Sequence, residues 1–137
     1  MIEARCGCGA LRVQVEGERE AVVACSCDDC RRRSGSAFGM GVYYPRAALS
    51  FVGEPGAYTR PTDSGNTFTT FFCPTCGTSL YWHGSRDPSR VSIAVGCFEP
   101  AEQFAPDRSV YDVNKQRWVD FGDIPGFERG RDSTRTR

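Results

Sequence analysis

The sequence predicts a single small, mainly β, zinc-binding domain of short antiparallel strands with little helix. Three observations carry that expectation. Apolar residues alternate with a period of two, turn-forming clusters punctuate those rows, and eight cysteines fall almost entirely into spaced clusters.

The alternation appears first at Leu11, Val13 and Val15, each separated by a polar residue, which is the pattern of a half-buried strand. Phe38, Met40, Val42 and Tyr44 form a second row, and Phe68 and Phe72 flank Thr70 in a third. Val91, Ile93 and Val95 form a fourth, and "SLYWHG" reads as a strand that ends near His83. Turns are expected at "GEPG", "PTDSGN" and "HGSRDPSR", where Gly, Pro, Asp and Asn supply the special backbone angles. Only "DDCRRRSG" and "PRAALS" read as short helical turns, and neither a repeat nor a linker interrupts the chain. The domain is expected over residues 1–127. Residues 128–137, "ERGRDSTRTR", are polar, charged and free of aromatics, and are expected to be disordered.

Composition narrows the function classes. A chain of 137 residues, 39% hydrophobic and 25% charged, fits one ordinary globular domain. The beginning, "MIEARCGCGALRV", has no apolar run suited to a signal peptide, and no window approaches the roughly 20 apolar residues of a membrane span. A cytoplasmic protein is expected. The 17 basic residues balance 17 acidic ones, so no global field favours nucleic acid.

In a reducing compartment, eight cysteines point to metal or to catalytic thiols before disulfides. They form C-x-C (Cys6, Cys8), C-x-C-x-x-C (Cys25, Cys27, Cys30), C-x-x-C (Cys73, Cys76) and a single Cys97. A four-bridge scaffold would call for an export signal and a shorter chain, and a redox dithiol at "FCPTCG" would need one cluster rather than three. Cys8 and Cys76 each precede a glycine, Gly9 and Gly77, which tolerates the positive φ needed when backbone N–H groups fold onto a metal-bound sulfur. Two such half-sites make one closed tetrahedral set, so Cys6, Cys8, Cys73 and Cys76 are the expected structural zinc ligands.

Cys25, Cys27 and Cys30 can reach one metal from a single tight segment that offers no fourth cysteine. Three protein ligands with one open position is the arrangement of a catalytic zinc, with substrate as the fourth ligand. The alternative is closure by Cys97, by His83 or by an acidic residue such as Asp28 or Asp29. Three thiolates on Zn²⁺ leave one net negative charge, which Arg31, Arg32 and Arg33 can offset, or these arginines can bind an anionic substrate. His83, the only histidine, is the candidate acid or base near neutral pH. Four thiolates suit iron as well as zinc, and the paired cysteine–glycine turns favour zinc.

The combination of "CxCG" from Cys6, "CxCxxCRRxSG" from Cys25 and "FCPxCGTxLY" from Phe72, followed by "VGCFEP" and "RWVDFGDIPGF", resembles the glutathione-dependent formaldehyde-activating enzymes. That family lies in one superfamily with the centromere protein V relatives. The resemblance implies a β-tent fold and two zinc ions per chain, structural at Cys6, Cys8, Cys73 and Cys76 and catalytic at Cys25, Cys27 and Cys30. It further implies carbon–sulfur lyase chemistry, in which a thiol such as glutathione adds to formaldehyde to give the S-hydroxymethyl adduct. Arg31 and Arg32, with Ser34 nearby, are then expected to fix a substrate carboxylate. Cys97 and the pair Thr69 and Thr70 depart from the family's usual residues, a small non-ligating one and a basic one. The expected partners are a small thiol and an aldehyde, with no nucleic acid and no membrane. The competing reading is a zinc-stabilised binding module without turnover, its second site closed.

Overall fold

A computed structural model describes all 137 residues. In chain order the strands are β1 (Ile2–Arg5), β2 (Arg12–Val15), β3 (Ala21–Cys25), β4 (Gly39–Pro45), β5 (Leu49–Val52), β6 (Gly56–Pro61), β7 (Thr67–Phe72), β8 (Ser79–Gly84), β9 (Arg90–Ala94) and β10 (Arg108–Val110). One α-helix, α1 (Asp28–Ser34), lies between β3 and β4, so the architecture is mainly β, as expected. The chain divides into two compact units, Met1–Glu20 with Val42–Ala101 and Ala21–Gly41 with Glu102–Arg137.

In the first unit, β1, β2 and β5 form an antiparallel sheet in the order β1-β2-β5. Val13 and Val15 point inward and are buried, while Arg12 and Gln14 reach Glu3 across the outer face. The period of two thus reflects one wet and one dry face. Strands β9, β8, β7 and β6 are neighbours in that order. Along β9, Val91, Ser92 and Ile93 are all buried, so both of its faces are covered. Val95, expected as its next strand residue, begins a 3₁₀ turn instead, Val95–Cys97.

On β7 the expected pair Phe68 and Phe72 is only half-buried. Phe68 lies under the Arg60 guanidinium at 4.5 Å. Phe72 faces Gly56 of β6, where an added Cβ would stand 2.5 Å from the ring. Only a glycine leaves room there. On the opposite face Phe71 stacks on Tyr81 of β8 at 4.9 Å, and Tyr81 meets Phe51 at 4.8 Å.

In the second unit, β3 pairs with β10, and the pairing is parallel, a departure from the purely antiparallel expectation. Residues Ala21–Ala24 are buried without alternation, as befits a strand covered on both faces. Asp107 clamps the start of this pair: its Oδ2 accepts the Val22 N–H at 2.8 Å, and its own N–H donates to the Val22 carbonyl at 2.8 Å. Asp107→Ala should therefore cost about 1.5–3 kcal/mol of unfolding free energy, the range for a lost hydrogen bond to a charged group. A urea titration read by circular dichroism checks this, and an unchanged midpoint would refute it.

The helix α1 begins at Cys27, whose Sγ accepts the Cys30 N–H, and it ends at Gly35 in the left-handed region, whose N–H returns to the Arg31 carbonyl. The last ten residues, expected from composition to be disordered, make specific bonds in the structure. Thr136 donates from its N–H to Gly126 and from its hydroxyl to Asp112, at 2.8 and 2.7 Å. Arg137 donates to the buried Ser109 hydroxyl at 2.6 Å and pairs with the almost fully buried Asp112 carboxylate at 3.4 Å. These partners lie outside the segment, where its composition carries no information.

Candidate metal centres

The first cysteine cluster belongs to the first unit. Cys6 follows β1, Cys73 follows β7, and the sulfurs of Cys6, Cys8, Cys73 and Cys76 all lie within 4.8 Å of one another. Two of the separations, Cys6 to Cys8 and Cys8 to Cys73, are both 3.7 Å. A tetrahedron with bonds of about 2.3 Å has edges of about 3.8 Å, so the donor set fits a tetrahedral thiophilic cation.

Backbone folds onto these sulfurs as the glycines suggest. Gly9 and Gly77 both adopt positive φ, 81° and 82°. Their N–H groups donate to the carbonyls of Cys6 and Cys73, closing a tight turn over three residues in the first case and over four in the second. The Leu11 N–H donates to Cys6 Sγ at 3.2 Å. Thr78 joins the halves: its Oγ1 accepts the Gly7 N–H at 3.0 Å and lies 3.3 Å from Cys76 Sγ. Sequence reasoning passed over Thr78, whose only signal was its place two residues beyond Cys76.

Crowding sets the protonation of these thiols. Hydrogen bonds from the Thr78 side chain and backbone pull Cys76 down to about 5. The Ala10 N–H favours the Cys8 thiolate, but hydrogen bonds shared with Cys73 and desolvation prevail and push it up to about 11. A divalent cation bound by such a set of sulfurs would favour their thiolate forms.

The second cluster belongs to the second unit. Cys25 ends β3, Cys27 caps α1 and Cys30 lies in its first turn, with all three sulfurs within 4.8 Å of one another. Strand end and helix start thus converge, and the Ser26 N–H, donating to Val110 at 3.2 Å, fixes the crossing between them. Hydrogen bonds with Cys27 and Cys30, then burial, raise the Cys25 thiol far above the ordinary thiol range. Cys30 is raised as well: its hydrogen bond with Cys25 pulls down, while Cys27 and burial push up harder. Three thiols held in contact, Cys30 buried and Cys25 and Cys27 half-buried, are again a donor set suited to a thiophilic cation.

The arginines after Cys30 go to different places. Arg31 pairs with Asp28 on the helix surface at 2.9 Å, and Asp28 also accepts from Asn114 at 3.3 Å. Arg32 is exposed, as is Asp29. Arg33 turns inward, with its guanidinium beside Gly39 and its Nε buried. The Ser34 hydroxyl lies 3.3 Å from the carbonyls of Arg31 and Phe38 and accepts the Ser36 N–H, so it braces the loop after α1.

His83 and Cys97 both lie in the first unit. His83, on β8, packs against Phe71 at 5.4 Å with its Nδ1 buried, and desolvation with the nearby Arg46 charge lowers its pKa. Cys97 is half-buried at the end of the 3₁₀ turn. No helix of the structure is long and apolar enough to cross a membrane.

Fold and site together define a class: a mainly β protein with two cysteine clusters, each of which could hold a metal ion. The sequence model of one family, described as "Glutathione-dependent formaldehyde-activating enzyme", matches residues 1–114 and spans both clusters. The chain belongs to that family. Among solved structures it is similar to a crystal structure of a Rhodobacter sphaeroides protein, with a TM-score of 0.57 and 20% identity, over 91% of this chain and 99% of that one. This likeness concerns the fold alone. No curated protein matches the chain.

Proposed function

We propose that this protein is a zinc-dependent carbon–sulfur lyase that makes or cleaves the adduct of a small thiol and an aldehyde, such as S-hydroxymethylglutathione, in the cytoplasm. The observation that carries this reading is the difference between the clusters, four sulfurs in one and three in the other, in a member of a family named for glutathione-dependent formaldehyde activation. In this reading Cys6, Cys8, Cys73 and Cys76 hold a structural zinc, and Cys25, Cys27 and Cys30 hold a catalytic one.

Zinc at the three-sulfur cluster supplies a Lewis acid that brings the ionisation of a substrate thiol toward neutral pH. The chain's own residues do the rest. Cys25, Cys27 and Cys30 keep the ion in place through a strand end and a helix start. Arg31 and Arg32, on the surface of α1, offer guanidinium groups to the carboxylates of a glutathione-like thiol, with Ser34 as a neighbouring hydroxyl. The reaction is redox-neutral. The thiol loses its proton, a carbon–sulfur bond forms at the carbonyl carbon, and the carbonyl oxygen gains a proton to become the hydroxyl of the adduct; cleavage reverses each step.

The test combines metal analysis with exchange NMR on glutathione, formaldehyde and their adduct. Two zinc ions per chain are expected, one removable by a mild chelator without unfolding, and the loaded protein should accelerate interconversion over the spontaneous rate. A second ion that leaves only on unfolding, with no acceleration, would replace this reading with a zinc-stabilised binding module.

A further inference from the structure

We infer that Arg33 is the positioning residue of the three-sulfur cluster: its guanidinium, laid against Gly39 beside Cys30, supplies the positive charge that lets three thiolates and a divalent cation sit together in a half-buried place. This rests on the zinc reading of Cys25, Cys27 and Cys30.

Three thiolates on a dication carry one net negative charge, and a partly desolvated charge is costly unless an opposite one lies close. Three consecutive arginines follow Cys30, yet their positions separate them. Arg31 is engaged with Asp28 at the surface, and Arg32 points to solvent. Arg33 alone returns toward the cysteines. A Cβ added at Gly39 would collide with Arg33 Nη2 and stand 3.4 Å from both Cys30 Cβ and the Cys30 carbonyl oxygen, so guanidinium and cysteine border the same small space.

Gly39 itself supports the assignment. It lies in β4 outside the positive-φ region, so backbone conformation does not demand glycine there. A Cβ there would instead push aside the far end of the Arg33 side chain, so glycine leaves the guanidinium its place. A guanidinium suits this role because it holds its charge when partly dehydrated.

The test is a chelator titration of the zinc-loaded full-length protein as wild type, Arg33→Gln, Arg33→Lys and Gly39→Ala, with circular dichroism alongside. Groups that support metal ligands from behind typically contribute about 10–100-fold in affinity. Arg33→Gln should therefore release one of its two zinc ions at about 10–100-fold lower chelator, with the other ion and the dichroism unchanged. Arg33→Lys should recover most of the loss, and Gly39→Ala, by displacing the guanidinium, should resemble Arg33→Gln. Wild-type affinity for both ions in Arg33→Gln would overturn the inference. So would loss of both ions together with the fold, or a lysine variant as weak as the glutamine one. A wild-type chain that binds only one zinc would overturn the underlying reading of the second cluster, and the inference with it.

Discussion

Replacing Cys73 by serine is expected to abolish cooperative folding of this protein at 25 °C. Its sulfur is buried, with 1% of the residue exposed, and lies 3.7 Å from Cys8 across a separation of 65 residues. Closing a loop of that length costs about 4 kcal/mol in chain entropy, and a structural zinc returns about 10–16 kcal/mol when its ligands are complete. Whole domains are stable by only about 5–15 kcal/mol, so losing most of the metal's contribution exceeds the margin. A serine hydroxyl at that position is a poor ligand for a soft cation. Thermal melting with zinc analysis reads the result. A variant that melts within a few degrees of wild type would show that the four-sulfur cluster does not hold the fold together.

Cys27→Ser should give the opposite signature, with the fold kept and the activity lost. Cys27 occupies the N-cap of α1, where its Sγ accepts the Cys30 N–H at 3.3 Å. Serine is among the best residues for that task, so the helix start survives the exchange. What disappears is a thiolate ligand. We expect zinc content to fall from two ions to one, the melting temperature to stay within a few degrees, and adduct exchange to slow by about 100-fold or more. That factor corresponds to about 2.7 kcal/mol of barrier. Retained exchange with a single zinc would remove the three-sulfur cluster from the chemistry. Together the two serine variants separate a metal that folds the chain from one that serves a reaction.

The cysteine clusters were legible in the sequence because short-range spacing already restricts which sulfurs can share an ion. Gly9 and Gly77 marked the tight turns, and both adopt the positive φ their positions implied. Strand β2 was legible for a related reason: it has one dry face and one wet face, so its side chains alternate. Strand β3 hid from the same test because both of its faces are covered, leaving "AVVAC" with no period to read. Its partner β10 is only three residues long and pairs in parallel from more than eighty residues away, and no local pattern records such a contact.

Among the arginines, the sequence singled out Arg31 and Arg32 for a substrate and offered no local sign of what sets Arg33 apart. Asp28 takes Arg31, and Gly39 makes room for Arg33, but the second of these depends on a strand that returns beside α1. The final ten residues show the same limit, since Ser109 and Asp112, not the composition of the tail, give Thr136 and Arg137 their partners.

By itself, then, the sequence determined the mainly β class, the division of seven cysteines into clusters, and the glycines that let backbone wrap around sulfur. These are local matters, decided by side-chain period, spacing and backbone freedom over a few residues. The glycine after each pair also anticipated that Cys6 and Cys8 meet Cys73 and Cys76, whereas only the tertiary structure decided that β3 and β10 run parallel and that Arg33 is the arginine beside Cys30. Those outcomes depend on chain closure over tens of residues and on the space left between packed elements, which local sequence does not encode.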